Sequence, residues 1–272
     1  RPSHAYLGLS PGLDFETKLV ARPDAARVLE KELGRKSYVV RPMGLGTNTD
    51  PWQPIEAQYR VTRSVLEVLW NWRHPVSITT RGALIERDLD LLGALAAEGL
   101  TEVGISVTTL DAGLARAMEP RAPSPARRLA MLRALSGAGV PVRLMMGPVI
   151  PGLTDHEIEA LMEAGREAGA RTAWYALLRL PLEVSPLFQD WLARHRPNHA
   201  GKVMKLLREM RGGRDNDPDF HSRFRGEGPY ADLLRARVVA ARRRLGYAQR
   251  LPALDCGKFR PPPRPGDQLS LF

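Results

Sequence analysis

Short apolar runs of strand length alternate along the first two thirds of the chain with longer stretches whose apolar positions recur at helical spacing. Ser37–Arg41 (SYVVR) reads as a strand, followed by a helix over Pro54–Trp72 with apolar positions Val61, Val65, Leu66 and Leu69. Pro75–Thr80 (PVSITT) is the next strand, and Glu86–Glu98 a helix ended by Gly99. Glu102–Val107 (EVGISV) is a third strand, followed by a short helix from Asp111 and a longer one over Ser124–Ser136. Pro141–Met146 (PVRLMM) is a fourth, whose helix opens at Thr154 with Thr154 and Glu157 spaced as a capping box. Arg171–Leu178 (RTAWYALL) is the fifth.

Five strand–helix repeats with strands apolar on both faces predict an α/β fold built on a parallel sheet or barrel. A doubly wound sheet competes, although no G-x-G-x-x-G follows the first strand. Beyond Pro181 the pattern becomes helical, over Pro186–His195, Ala200–Met210 and Tyr230–Leu245. Pro261-Pro262-Pro263 with Pro265-Gly266 then marks an extended linker before a short coda. The expected division is a barrel over 1–181, a helical extension over 182–250 and a tail over 251–272.

Charge sharpens this division. The net charge of +10 arises wholly in residues 191–272, which hold 18 basic and 8 acidic side chains; before them the two signs cancel. Such asymmetry attracts polyanions through counterion release, with a merely solvated Arg-rich surface as the alternative. The single cysteine, Cys256, excludes a disulfide framework and a cysteine-only metal site within this chain, and points to a reducing cytoplasm. No run is long and apolar enough to span a bilayer. The opening Arg1-Pro2-Ser3-His4 lacks an initiator Met, so a mature, cleaved or truncated form is expected.

In a parallel barrel, functional groups gather at the C-terminal strand ends. There lie Gly44-Leu45-Gly46-Thr47-Asn48-Thr49-Asp50-Pro51-Trp52-Gln53-Pro54, then Thr80-Arg81-Gly82, Ser106 with Thr108-Thr109, and the turn Gly147–Gly152. Thr154 and Asp155 read as a helix cap. His195 and His199 stand four apart, but Pro197 between them spoils a helical metal pair. No Ser/His/Asp set, P-loop or zinc signature is present.

GTNTDPWQPIE is similar to the motif that spore photoproduct lyase-like radical SAM proteins carry after their second strand. The order around it also resembles theirs: a strand ending T-K-S, here Thr80-Arg81-Gly82, a strand carrying Ser, then a G-x-I-x-G-x-x-D/E turn. The opening RPSHAYLGLSPGLDFE resembles the segment after the C-x-x-x-C-x-x-C loop in one branch of that family. The resemblance implies a partial parallel (β/α)6 barrel whose first strand and cluster loop precede Arg1. It implies two cofactors, a 4Fe-4S cluster on three upstream cysteines and S-adenosylmethionine cleaved to a 5′-deoxyadenosyl radical; the 272 residues alone are expected to be inactive. It places Thr49 and Asp50 at the methionyl amino group, Arg81 at the carboxylate, Ser106 at the ribose and the Gly147 turn at the adenine. Arg81 stands where the family often has Lys, a substitution that alters donor geometry.

The basic third adds Arg194, Arg196, Lys202, Lys205, Arg208, Arg211 and Arg214, opposed by Glu209, then Arg235, Arg237 and Arg242-Arg243-Arg244. Trp191, Phe220, Phe224 and Tyr230 are available either to stack on bases or to pack in the core. The ending Gln268-Leu269-Ser270-Leu271-Phe272 resembles the Q-L-x-L-F peptide that binds the bacterial DNA sliding clamp, with Gln268, Leu269, Leu271 and Phe272 as contacts. The alternative is a tail strapped onto its own domain. Radical chemistry on DNA is the expected function, with RNA, protein or a metabolite as other substrates and a non-catalytic DNA- and clamp-binding adaptor as the other class.

Overall fold

The computed structural model describes residues 6–262 except 11, 13, 220 and 221. Among the described residues, α1 (Asp14–Thr17) and α2 (Ala25–Leu33) precede strand β1 (Met43–Leu45), which leads to α3 (Glu56–Tyr59) and α4 (Val61–Asn71). Then come β2 (Val76–Thr80), α5 (Leu89–Ala97), β3 (Thr101–Ser106), α6 (Ala112–Met118) and α7 (Pro125–Gly137). β4 (Val142–Val149), α8 (Ile158–Glu167) and β5 (Thr172–Leu177) complete the repeats; α9 (Val184–His195), α10 (Pro197–Glu209) and α11 (Pro229–Arg244) close the order.

All five strands are parallel, in the order β1-β2-β3-β4-β5. Crossovers between parallel strands are right-handed, so an order that never reverses puts successive helices on one side. A doubly wound sheet needs a reversal to place helices on both sides. The fold is therefore a partial barrel wall, as expected from the sequence.

Local chemistry sets the helix starts. Asp111 caps α6 by accepting from the backbone N–H groups of Gly113 (2.7 Å) and Leu114 (3.0 Å). Ser124 caps α7 through Arg127 N–H at 3.3 Å, with Pro125 at the first helical position. The long helix expected over Pro54–Trp72 divides at Arg60, whose left-handed backbone (φ 49°) separates α3 from α4. The capping box does not form. The Thr154 hydroxyl accepts from Ile150 N–H (2.9 Å), and Glu157 instead accepts from the Thr109 hydroxyl and Leu110 N–H.

The first strand also differs from expectation. Residues 37–42 have no strand structure, Val39 is exposed, and pairing begins only at Met43 opposite Val76. Tyr38 is drawn away into a cluster with His74 and Phe259.

The expectation of strands apolar on both faces is overturned as well. Val76, Ile78, Val103, Ile105, Val142, Leu144 and Met146 are buried against Leu66, Leu69, Leu95, Leu132, Leu135 and Leu161. The alternate positions carry Ser77 and Thr79, Glu102, Gly104 and Ser106, Arg143, Met145 and Gly147, then Thr172 and Trp174. A period of two places these on the opposite, inner face. Their contacts agree: Glu102 accepts from the Ser77 hydroxyl (2.8 Å) and Arg143 Nη2 (2.7 Å) across three strands. Helix α11 buries Ala231, Leu234, Val238 and Ala241 in the barrel core beside α8, while α9 and α10 form a second core around Leu192, Val203 and Leu207.

Candidate active site at the strand ends

The segment after β1 is built by its own motif residues. Gly46 adopts φ +85° and passes so close to the Thr79 carbonyl that any Cβ would overlap it. Asp50 ties this segment to the end of β2. Its Oδ1 accepts from Trp52 N–H (2.9 Å) and the Thr80 hydroxyl (2.6 Å), and its Oδ2 from Arg81 N–H (2.8 Å). Trp52 is buried and donates its indole N–H to Asp88 at 2.8 Å. Glu56 is buried and accepts from Thr62 N–H (3.0 Å) at the start of α4. The acidic and aromatic members of the motif thus point into the structure, while Thr47, Asn48 and Thr49 are left exposed.

Asp88 is fully buried beneath this segment. Burial pushes its carboxyl upward, but hydrogen bonds from Arg87, Trp52 and Arg63 outweigh that and hold it below the ordinary value.

Arg81 follows β2 on the inner face and pairs with Glu119 at the end of α6. Glu119 is also held by Arg128 at 2.6 Å. Arg128 is only 2% exposed; its Nε donates to the Pro123 carbonyl (2.8 Å) and Nη1 to the Ser106 carbonyl (3.2 Å). Burial lowers its pKa to about 10, with Asp50 acting in the opposite direction, so it stays cationic at neutral pH. Ser106, buried at the end of β3, is therefore positioned through its backbone by Arg128. In the sheet register Ser106 lies opposite Met145, and Met145 opposite Trp174.

At the end of β4, Gly147 leads into a turn that Asp155 fixes by accepting from Gly152 N–H (2.9 Å) and the Tyr230 hydroxyl. Burial, then this bond, pushes the Tyr230 phenol up to about 12. Thr154 and Asp155 thus brace the turn instead of capping a helix. Thr49, Asp50, Arg81, Ser106 and Gly147 all fall on adjoining strand ends, with Thr49 exposed and Asp50 and Arg81 already engaged by protein partners. The sequence reading missed Glu119 and Arg128, which lie outside its motifs, and Glu102, Arg143 and Trp174, which a strict alternation within the strands would have grouped.

The excess positive charge is more heavily compensated than expected. Arg194 pairs with Asp190, Arg208 with Asp215, Arg235 with Asp232, Arg237 with Glu159 and Arg244 with Glu163. Folding brings Glu159 and Glu163 of α8 against α11, a neighbour remote in sequence. Trp191 stacks between Phe188 and His195 and donates to the Ala117 carbonyl, a packing role. Gln268, Leu269, Leu271 and Phe272, and also Phe220, lie outside the described residues.

Cys256 sits half-buried in a 3-10 turn near the tail. Among the described residues no group of His, Cys, Asp and Glu is arranged to hold a metal ion. An iron–sulfur cluster takes thiolate ligands, so these residues do not fit one. No helix among the described residues is long and apolar enough to cross a membrane.

Residues 42–165 match the radical SAM superfamily. An uncharacterized protein of Mycobacterium tuberculosis is 36% identical over 210 residues, covering 76% of this chain and 62% of that protein. An uncharacterized protein of Methanocaldococcus jannaschii is 26% identical over 166 residues, 61% of each. The chain therefore spans about three fifths of the length of these relatives. Among solved structures, spore photoproduct lyase complexed with dinucleoside spore photoproduct aligns with a TM-score of 0.58 at 13% identity, over 89% of this chain and 68% of the other.

Proposed function

We propose that the chain is a radical SAM protein, since residues 42–165 match that superfamily and the fold aligns with that of spore photoproduct lyase, and that the complete protein cleaves S-adenosylmethionine reductively and acts on DNA. In that superfamily the electron comes from a 4Fe-4S cluster, which the described residues do not fit; this chain would supply the wall that receives S-adenosylmethionine. Thr49 and Asp50 would accept from the methionyl ammonium, Arg81 would exchange Glu119 for the methionyl carboxylate, Ser106 would bond the ribose and the Gly147 turn would lie along the adenine.

The observation that carries this reading is the inner face itself. Arg81, Ser106 and Gly147 occupy inner-face positions at adjoining strand ends of a parallel wall whose other face packs against helices, and the segment carrying Thr49 is tied to them by Asp50 through Thr80 and Arg81. DNA is favoured by the basic final third and by the substrate-like ligand named for the structural neighbour. We extend the proposal to the tail, whose Gln268-Leu269-Ser270-Leu271-Phe272 ending would hook a sliding clamp.

The test is 5′-deoxyadenosine formation by the anaerobically reconstituted full-length protein, with dithionite and with ultraviolet-irradiated DNA, irradiated RNA or neither. Formation should rise with DNA. A rise with RNA alone moves the substrate; no formation from a protein that does carry the cluster favours the adaptor and overturns the enzyme reading.

A further inference from the structure

The end of β5 carries a cluster that the proposed cofactor contacts do not use. Trp174 stands on the inner face opposite Met145, and its ring passes close to Gly147: a Cβ there would meet its Cζ3 at 3.9 Å. This large ring is 36% exposed although it lies within the sheet. Phe224 meets it edge-on, with centroids 6.0 Å apart and planes at 63°. The Phe224 carbonyl accepts from Leu177 N–H (2.9 Å), which anchors the aromatic segment to the strand.

Two guanidinium groups face the same phenyl ring, Arg179 at 5.2 Å and Arg223 at 4.8 Å from its centroid. The Arg179 Nε is buried with no hydrogen-bond partner, and among the described residues no carboxylate forms an ion pair with Arg179. The nearby acid, Asp217, is already engaged by the Ser222 hydroxyl (2.5 Å) and Asp219 N–H (2.9 Å). Desolvation first, and then Arg223, depress the Arg179 pKa, with Asp217 only partly offsetting them. Two like charges gathered at one ring, one of them on Arg179 with no paired carboxylate among the described residues, attract an anion to their side.

Resting on the nucleic-acid reading above, we infer that Trp174, Phe224, Arg179 and Arg223 form a subsite for one nucleotide of a single-stranded or extruded segment. The Trp174 face stacks on the base and the two guanidiniums receive the adjoining phosphodiester. Bases within a duplex are stacked on their neighbours, so an exposed ring at the mouth of a wall selects one that has been turned out. The subsite adjoins Gly147, so the bound nucleotide lies next to the proposed adenine contact.

The experiment is fluorescence titration of the full-length protein with oligo-dT5 over a range of salt, without added S-adenosylmethionine. Trp174→Ala should weaken binding at least about fivefold with an unchanged salt slope, because stacking carries no charge. Arg179→Gln should weaken it roughly tenfold and reduce the slope by about 0.7, as loss of one single-strand phosphate contact requires. Arg179→Lys should restore most of the slope, which separates charge from packing, and Lys31→Gln, exposed on α2 and outside the basic third, serves as the charge-loss control. Wild-type affinity and slope in both Arg179→Gln and Trp174→Ala would overturn the subsite, as would inorganic phosphate displacing oligo-dT5 at equal concentration. If 5′-deoxyadenosine formation without nucleic acid persists in those variants, the cofactor reading survives that failure.

Discussion

Arg128→Met replaces the buried guanidinium at the base of the mouth with an unbranched apolar side chain that still fills its channel. Three acceptors lose their donors: the carbonyl oxygens of Pro123 and Ser106, and the carboxylate of Glu119. Breaking a buried pair from one side costs about 3–5 kcal/mol, because the other charge is left without its partner. Arg81 still holds Glu119, so the lower end, about 3 kcal/mol, applies. For a chain of this size that corresponds to a fall in Tm of roughly 6–12 °C. Circular dichroism melting at pH 7 reads the shift. The double variant Arg128→Met/Glu119→Gln should lose about 1–2 kcal/mol less than the sum of the two single variants, since both remove the same Arg128–Glu119 bond. A single variant within about 2 °C of the parent, or a double variant with purely additive loss, would refute the argument that Arg128 ties β3 to α6.

Three further outcomes rest on particular contacts. His74 is fully buried, bonded through Nδ1 to the Pro75 carbonyl and through Nε2 to the Tyr38 hydroxyl at 2.7 Å, so it is held neutral. Burial lowers its pKa below 6.5, so the unfolded chain binds the proton first. Stability should fall as pH drops below about 6.5, by up to roughly 1.4 kcal/mol per pH unit. Urea midpoints at pH 7.5 and 5.5 check this, and no fall in the wild type relative to His74→Gln would contradict it. Gly46→Ala should abolish cooperative unfolding or cost about 3 kcal/mol or more, from a left-handed backbone and a clash with Thr79 together; an unchanged melt would contradict the close approach. Deleting 268–272 should leave the melting temperature unchanged and abolish capture by immobilised sliding clamp, and retained capture would discard the hook.

The fold was legible where local signals and long-range packing agreed. Helices α6 and α7 begin where Asp111 and Ser124 announce them, and β2 to β5 lie close to their apolar runs. SYVVR misled because strand propensity needs a partner strand to act on, and at Tyr38 the aromatic cluster with His74 and Phe259 was the better alternative. The motif GTNTDPWQPIE was visible as a motif, but not as a division of labour. Only folding shows that Asp50, Trp52 and Glu56 support the segment while Thr47–Thr49 face outward. The polar inner face was present in the alternation of Ser77, Thr79, Glu102, Ser106 and Arg143, yet flanking apolar residues masked it. The ion pairs of α11 with α8 join positions 78 residues apart (Arg237 to Glu159) and 81 apart (Arg244 to Glu163) and have no local signature.

Hydrogen exchange on the reconstituted full-length protein, with and without S-adenosylmethionine, tests the central claim most directly. Protection should appear at residues 46–50, 80–82, 106–109 and 147–152, which meet only at the strand-end mouth of the inner face. Protection confined to other segments, with the cofactor demonstrably bound, would contradict the site.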